Sequence, residues 1–126
     1  MDFLIVDPDA NVRALYAALA EHVRLPVKRS VEAPNVDDAL RALRASTPAA
    51  AIVGPDVPLV QAIVARAPDA FVVVATDRAW NDPTVLASIS AGAAGYLRTP
   101  VHVSDFRHAF GSWQPASPRA RRLSAR

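Results

Sequence analysis

The sequence predicts a doubly wound α/β domain, a five-stranded parallel sheet with helices on both faces, followed by a basic C-terminal extension. Three observations carry that expectation. Five short strand-like segments alternate with five segments of helical periodicity, the pattern of a parallel sheet covered on both sides. Phe3 to Val6, Ala51 to Val53 and Phe71 to Ala75 are continuous runs of Val, Ile, Leu, Phe and Ala, as strands buried on both faces are. The 126 residues, 52% of them hydrophobic, fit a single core, since domains typically run to about 100 to 150 residues.

Phe3 to Val6 is the first apolar run, closed by Asp7-Pro8. From Asp9 onward the period is helical: Val12, Leu15, Tyr16 and Leu19 share one face, Val23 continues it, and Asp9 or Asn11 is placed to cap. Val27 to Ala33 reads as the second strand. Pro34-Asn35 opens a second helix, with Asn35 as N-cap, Asp37 and Asp38 in the first turn where the helix dipole favours acids, and Leu40 and Leu43 turned inward. Ala51 to Val53 is the third strand, followed by a short helix over Leu59 to Arg66. Phe71 to Ala75, FVVVA, is the most apolar strand and reads as central. Asp82-Pro83 begins a helix over Thr84 to Ser90, with proline at a tolerated first-turn position. Gly92-Ala-Ala-Gly95 turns into a fifth strand, Tyr96 to Leu97. Thr99-Pro100 leads to a last helix from Val103 to Ser112, in which Phe106 and Phe110 face the core.

Composition narrows the function classes. There is no cysteine, so neither disulfides nor thiolate metal sites are available. The start, MDFLIVD, carries acids on either side of four apolar residues, unlike a signal peptide, and no run approaches the roughly 20 residues of a membrane span. The expectation is a soluble, cytoplasmic protein. Charge is divided: residues 1–118 hold 10 basic against 12 acidic side chains, net −2, and the last eight residues hold four arginines and no acid, net +4. His22, His102 and His108 show no paired spacing for a metal and read as surface histidines, His102 being also able to cap the last helix. Gly92 and Gly95 fit a turn before the fifth strand and lack the partner residues of a phosphate loop.

In a sheet of this kind ligands collect outside the carboxyl ends of the strands, which here are Asp7, Gly54, Thr76 and Arg98-Thr99. The stretches LIVDPD, AAAIVGPDVP, VVVATD and AGAAGYLRTP stand at those ends. Together they resemble the receiver domain of two-component signalling, the CheY-like, flavodoxin-like fold, over roughly residues 2–113. AGAAGYLRTP is the most specific of them, since it matches the AGAxxYLxKP pattern in register. The resemblance divides the chain into a receiver domain over residues 1–113 and an arginine-rich tail over residues 114–126.

Receiver chemistry needs an acceptor aspartate, two further carboxylates for Mg²⁺, and a lysine, because a phosphoaspartate crowds negative oxygens that cations must offset. By position, Asp7 keeps the first carboxylate, Pro8 occupies the second, Gly54 stands at the acceptor and Thr99 at the lysine, while Thr76 retains the switch threonine. The segment from Gly54 to Thr76 is also shorter than the family norm. The resemblance therefore implies a degenerate pocket and a non-enzymatic pseudo-receiver that phosphodonors do not modify. Asp9 and Asp56, each two residues beyond a pocket position, either form a displaced acidic pocket or serve as a helix cap and a solvated turn residue. By the same resemblance, partners dock on the face formed by the fourth helix, fifth strand and last helix, where Trp80, Tyr96, Arg98 and Arg107 offer aromatic and basic groups.

The tail completes the reading. Beyond Trp113, which the periodicity leaves either buried or exposed, runs QPASPRARRLSAR, with Arg119, Arg121, Arg122 and Arg126. Guanidinium groups grip phosphate bidentately, stack on bases and pair with the O6/N7 edge of guanine, and a tryptophan adds a stacking surface. This arrangement is similar to the Cle group of CheY-like cyclic di-GMP effectors. The similarity implies cyclic di-GMP as ligand, no other cofactor, and a protein partner such as the flagellar motor switch. Ordering the whole tail costs more than four guanidinium contacts and two stacked bases return, so it is expected to order only in part around residues 119–122. Two alternatives stand beside this: an interaction module without a small ligand, and nucleic-acid binding through the tail, against which the body is acidic and lacks a basic recognition helix.

Overall fold

The computed structural model describes residues 1–113. Five strands, β1 (Asp2–Val6), β2 (Arg29–Ala33), β3 (Pro48–Val53), β4 (Phe71–Thr76) and β5 (Gly95–Arg98), alternate with five helices. The helices are α1 (Ala10–His22), α2 (Val36–Ala45), α3 (Val57–Arg66), α4 (Pro83–Ser90) and α5 (Val103–Phe110). All pairings are parallel, in the order β2-β1-β3-β4-β5, so the predicted doubly wound α/β fold is the one observed.

The middle strand is β3. FVVVA, expected to be central, lies one place out as β4. The reason is that apolarity reports burial and not rank: β4 is paired on both edges and covered on both faces, and needs the same residues as a middle strand. Successive side chains of each strand enter opposite cores. On one face Leu4, Ala51, Val53, Val72 and Val74 meet Ala39 and Leu43 of α2 and Leu59, Val60 and Ile63 of α3. On the other, Phe3, Ile5, Ala50, Ile52, Val73 and Leu97 meet Tyr16, Leu19 and Ala20 of α1 and Phe106 and Phe110 of α5. Phe110 is the hub of that second core, edge-on to Phe3 at 5.6 Å and 4.8 Å from Phe106.

Local signals set most element starts. Asp9 caps α1 by accepting from the Asn11 amide at 2.8 Å, and Asn35 caps α2 through the Asp38 amide at 2.8 Å. His102 holds the N-cap position of α5 but makes no side-chain cap bond, contrary to the capping role open to it. The last helix stops at Phe110, short of the expected Ser112. Leu15 also departs from expectation: it is 44% exposed while Tyr16 and Leu19 are buried. The buried arc of α1 is centred between Val12 and Tyr16, and at about 100° per residue Leu15 falls roughly 80° from that centre, on the flank.

Gly92 is a position where the fold demands glycine. Its φ is +125°, and a Cβ there would lie 2.8 Å from Cγ2 of Val64. Gly92→Ala is expected to destabilise the protein by roughly 1 to 3 kcal/mol, read as a fall in the midpoint of chemical unfolding. Burial, reinforced by the charge of Asp7, pushes the Tyr16 hydroxyl from 10.0 up to about 12. A raised folded-state value means this contribution is complete below the unfolded value and is lost as pH rises through the folded one. Stability is therefore expected to fall by about 2 kcal/mol between roughly pH 10 and 12, and urea unfolding of Tyr16→Phe across that range should lack this component.

Candidate functional site

The strand order reverses between β1 and β3, and there the carboxyl ends of the two strands open a cleft of about 340 Å³. Asp7, Pro8 and Gly54, three of the five residues assigned to the degenerate pocket, line it together with Val6, Pro34, Pro55 and Asp56. Thr76 and Thr99 do not line it. They meet each other past the ends of β4 and β5, where the Thr99 amide donates to the Thr76 carbonyl at 3.0 Å.

The polar groups of the cleft are committed to the chain itself. The Asp7 carboxylate accepts from the Asp9 amide at 2.8 Å, closing the turn that starts α1. Asp56 is neither a displaced ligand nor a solvated turn residue: its Oδ1 accepts from the Leu59 amide at 2.9 Å and caps α3. Gly54 contributes no side chain, and a Cβ built on it meets nothing within 4 Å, so space exists there for a larger residue. Among the described residues no three His, Cys, Asp or Glu side chains converge to hold a metal ion. A Mg²⁺ ion wants several oxygen ligands in near-octahedral array. With Asp7 turned into its own loop and Pro8 and Gly54 offering no oxygen from their side chains, the residues present do not fit such a site.

Sequence reading missed Arg13 here. Its guanidinium, largely buried, donates to the Asp7 carbonyl at 2.7 Å and pairs with Glu32 at 3.1 Å, tying the β1 exit to β2. The signal was present only as a basic residue three positions into a helix otherwise read for its apolar stripe. Arg78 was missed as well. Its amide donates to Thr76 Oγ1 at 3.3 Å, its guanidinium to Thr84 Oγ1 at 3.2 Å, and its carbonyl accepts from the Tyr96 hydroxyl. Asp82, 3.6 Å from the same guanidinium, caps α4 through the Thr84 amide, and that amide first, then Arg78, hold its carboxyl below the usual carboxylate range. Thr76 and Tyr96 thus meet in one network through the β4–α4 loop.

On the expected partner face Trp80 is 67% exposed, Arg98 and Arg107 are exposed, and Tyr96 is half-buried on the edge strand. Leu86 and Ile89 join Trp80 as exposed apolar residues of the α4 region. They escaped notice because the covered side of α4 carries the buried Ser88 beside Val85 while Leu86 and Ile89 face out, so apolar periodicity could not say which side is covered. Trp113 is half-buried, its ring 6.3 Å from that of Phe71, which settles the question its place at the helix end left open. Arg119, Arg121, Arg122 and Arg126 lie outside the described residues.

No protein-family model and no curated protein matches the chain. Solved structures do. A response regulator from Burkholderia pseudomallei, described with a phosphorylated aspartic acid, calcium ion and citrate, is similar at 26% identity over 98% of this chain and 71% of its own, with a TM-score of 0.68. The Vibrio cholerae chemotaxis protein CheY4 is similar at 14% identity, covering 87% and 95%, with a TM-score of 0.73. The receiver domain of NtrX from Brucella abortus shares 19% identity over 89% and 100%, with a TM-score of 0.72. These similarities, with the five-stranded order, support a receiver-like domain.

The open space at Gly54 yields a test. Gly54→Asp is expected to fold with an unchanged melting temperature and, incubated with acetyl phosphate, to show no phosphoryl adduct by intact mass. Pro8 and Thr99 still withhold the second carboxylate and the cation, and only the further changes Pro8→Asp and Thr99→Lys should allow the adduct to form.

Proposed function

We propose that this receiver-like domain is a signalling adaptor that works without phosphoryl transfer, binds cyclic di-GMP through Arg119, Arg121, Arg122, Arg126 and Trp113, and docks on a protein partner. The observation that carries the first part is the switch-point cleft. Its acceptor position is Gly54, and its remaining acids, Asp7 and Asp56, are spent on closing their own turns. A domain with that cleft takes its signal elsewhere, and the four arginines of the last eight residues are the one concentrated charge in the sequence. Guanidinium and indole groups together suit a guanine-containing dianion.

The output side rests on the α4–β5–α5 face. Trp80, Leu86 and Ile89 are exposed apolar residues of the α4 region, and Arg98 of β5 and Arg107 of α5 are exposed as well, aromatic and basic residue types that interfaces favour. Similarity to a chemotaxis protein of the CheY type makes the flagellar motor switch the partner of choice. Protein without a small ligand, and nucleic acid at the tail, are the readings against which it is measured.

Isothermal calorimetry separates them. Cyclic di-GMP is expected to give heat, GTP to bind more weakly and a random DNA duplex to bind no better than GTP. Arg121→Ala or Arg122→Ala should each cost about 1.5 to 3 kcal/mol of affinity. Absence of heat with the cyclic dinucleotide, or equal affinity for GTP, overturns the ligand assignment.

A further inference from the structure

At the edge of the sheet opposite the switch-point cleft, the start of β3 and the turn ahead of β4 frame a cavity of about 410 Å³, larger than the cleft itself. That volume falls within the roughly 300 to 1,000 Å³ of small-ligand sites. Pro48, Ala67 and Pro68 give it apolar walls, and the half-buried Trp113, its ring 6.3 Å from that of Phe71, adds a broad flat one. Charges of both signs border it: Arg66 and the Met1 amino group are positive, and Asp69 is negative.

Arg66 and Asp69 are both held in place and both retain bonding capacity. Arg66, in the last turn of α3, donates from Nε to the Leu43 carbonyl at 3.1 Å and from Nη2 to the Arg44 carbonyl at 3.5 Å. Those two bonds fix the plane of its guanidinium and leave Nη1 without a bond among the described residues. Asp69 is the third residue of a turn closed by the Ala70 amide on the Ala67 carbonyl at 3.0 Å, with Pro68 at the second position, where such turns favour proline. It is exposed and enters none of the ion pairs among the described residues, with Arg66 or any other cation. Opposite charges three residues apart therefore border one cavity without neutralising each other. A purely anionic ligand meets Asp69 unpaired, and a purely cationic one meets Arg66 and Met1. A ligand that carries both charges answers both, and the carboxyl end of α3, the negative pole of that helix, joins Asp69 in favouring an ammonium group.

We infer that this cavity is a binding site for a free α-amino acid with an apolar or aromatic side chain. The ligand's carboxylate accepts from Nη1 of Arg66, its ammonium donates to Asp69, and its side chain packs on Trp113 and the two prolines. Both polar contacts are hydrogen bonds between ionised partners, roughly twice as strong as neutral ones. The apolar walls take the ligand's side chain out of water. This site stands apart from the tail ligand: it uses none of the tail arginines, and of the residues assigned to that ligand it shares only Trp113.

The test is calorimetry of the full chain with L-phenylalanine, beside phenylpropionate, which lacks the ammonium, and phenethylamine, which lacks the carboxylate. The native protein is expected to bind the amino acid at least about tenfold more tightly than either analogue. Asp69→Asn keeps the shape and turn tendency of the residue while removing its charge. It should melt at the native temperature, weaken L-phenylalanine at least about tenfold and leave phenylpropionate bound no more weakly than before. Arg66→Met should weaken L-phenylalanine by a similar factor and spare phenethylamine. Because Arg66 also holds the end of α2, Asp69→Asn is the deciding variant. Absence of heat with L-phenylalanine, equal affinity for the two analogues, or unchanged affinity in Asp69→Asn overturns the site, and none of these outcomes bears on the tail arginines.

Discussion

Every strand of this domain runs the same way, and that single constraint orders the rest of the molecule. A parallel strand can be followed only by a crossover, so each strand is paired with a helix returning antiparallel to it. The helices then put all their amino termini at one edge of the sheet and all their carboxyl termini at the other. The two edges differ in electrostatic character before any side chain is considered. The two faces are equally constrained, since consecutive residues of a buried strand must satisfy two separate cores. Ala50 and Ala51 show this: one lies among the aromatic residues under α1 and α5, the other among the aliphatic ones under α2 and α3.

At the carboxyl edge of the strands, the positive ends of α1, α2 and α3 surround the switch-point cleft, and Asp9, Asn35 and Asp56 answer their unpaired amides. Asp7 does the same for the turn before α1. Acids that could be taken for a reactive cluster are consumed by the geometry of helix starts. Arg13 and Arg78 brace the same edge by binding main-chain carbonyls and neighbouring loops, so its polar groups hold the loops of the fold in place. The amino-terminal edge is the converse. There Arg66 answers helix carbonyls, and Trp113, its ring 6.3 Å from that of Phe71, lines a cavity with Thr47 and Pro48.

The two edges together connect the two halves of the functional reading. The switch-point cleft is lined by Pro8, Gly54 and Pro55 beside Asp7 and Asp56, whose carboxylates close their own turns. The network from Thr76 through Arg78 to Tyr96 nevertheless still links the end of β4 to the edge strand β5 and the start of α4. The exposed Trp80 follows Arg78 in the β4–α4 loop, and the exposed Leu86 and Ile89 lie on α4. Coupling between a ligand and this face requires differential binding to two arrangements of such an element.

Element order and the caps Asn35 and Asp9 were legible in the sequence, because each depends on residue type at a short spacing. The tail arginines were legible for the same reason, as composition. What the sequence left undecided depends on distance between residues far apart in the chain. It could not rank β3 above β4, since both are equally buried, nor tell that Leu15 sits on the flank of α1 and Trp113 against Phe71. It could not show that Thr76 and Thr99 lie outside the cleft of Gly54, or that Asp69, Thr47 and Trp113 border one cavity. Those facts follow from packing the crossovers onto the sheet, which alone brings such positions together.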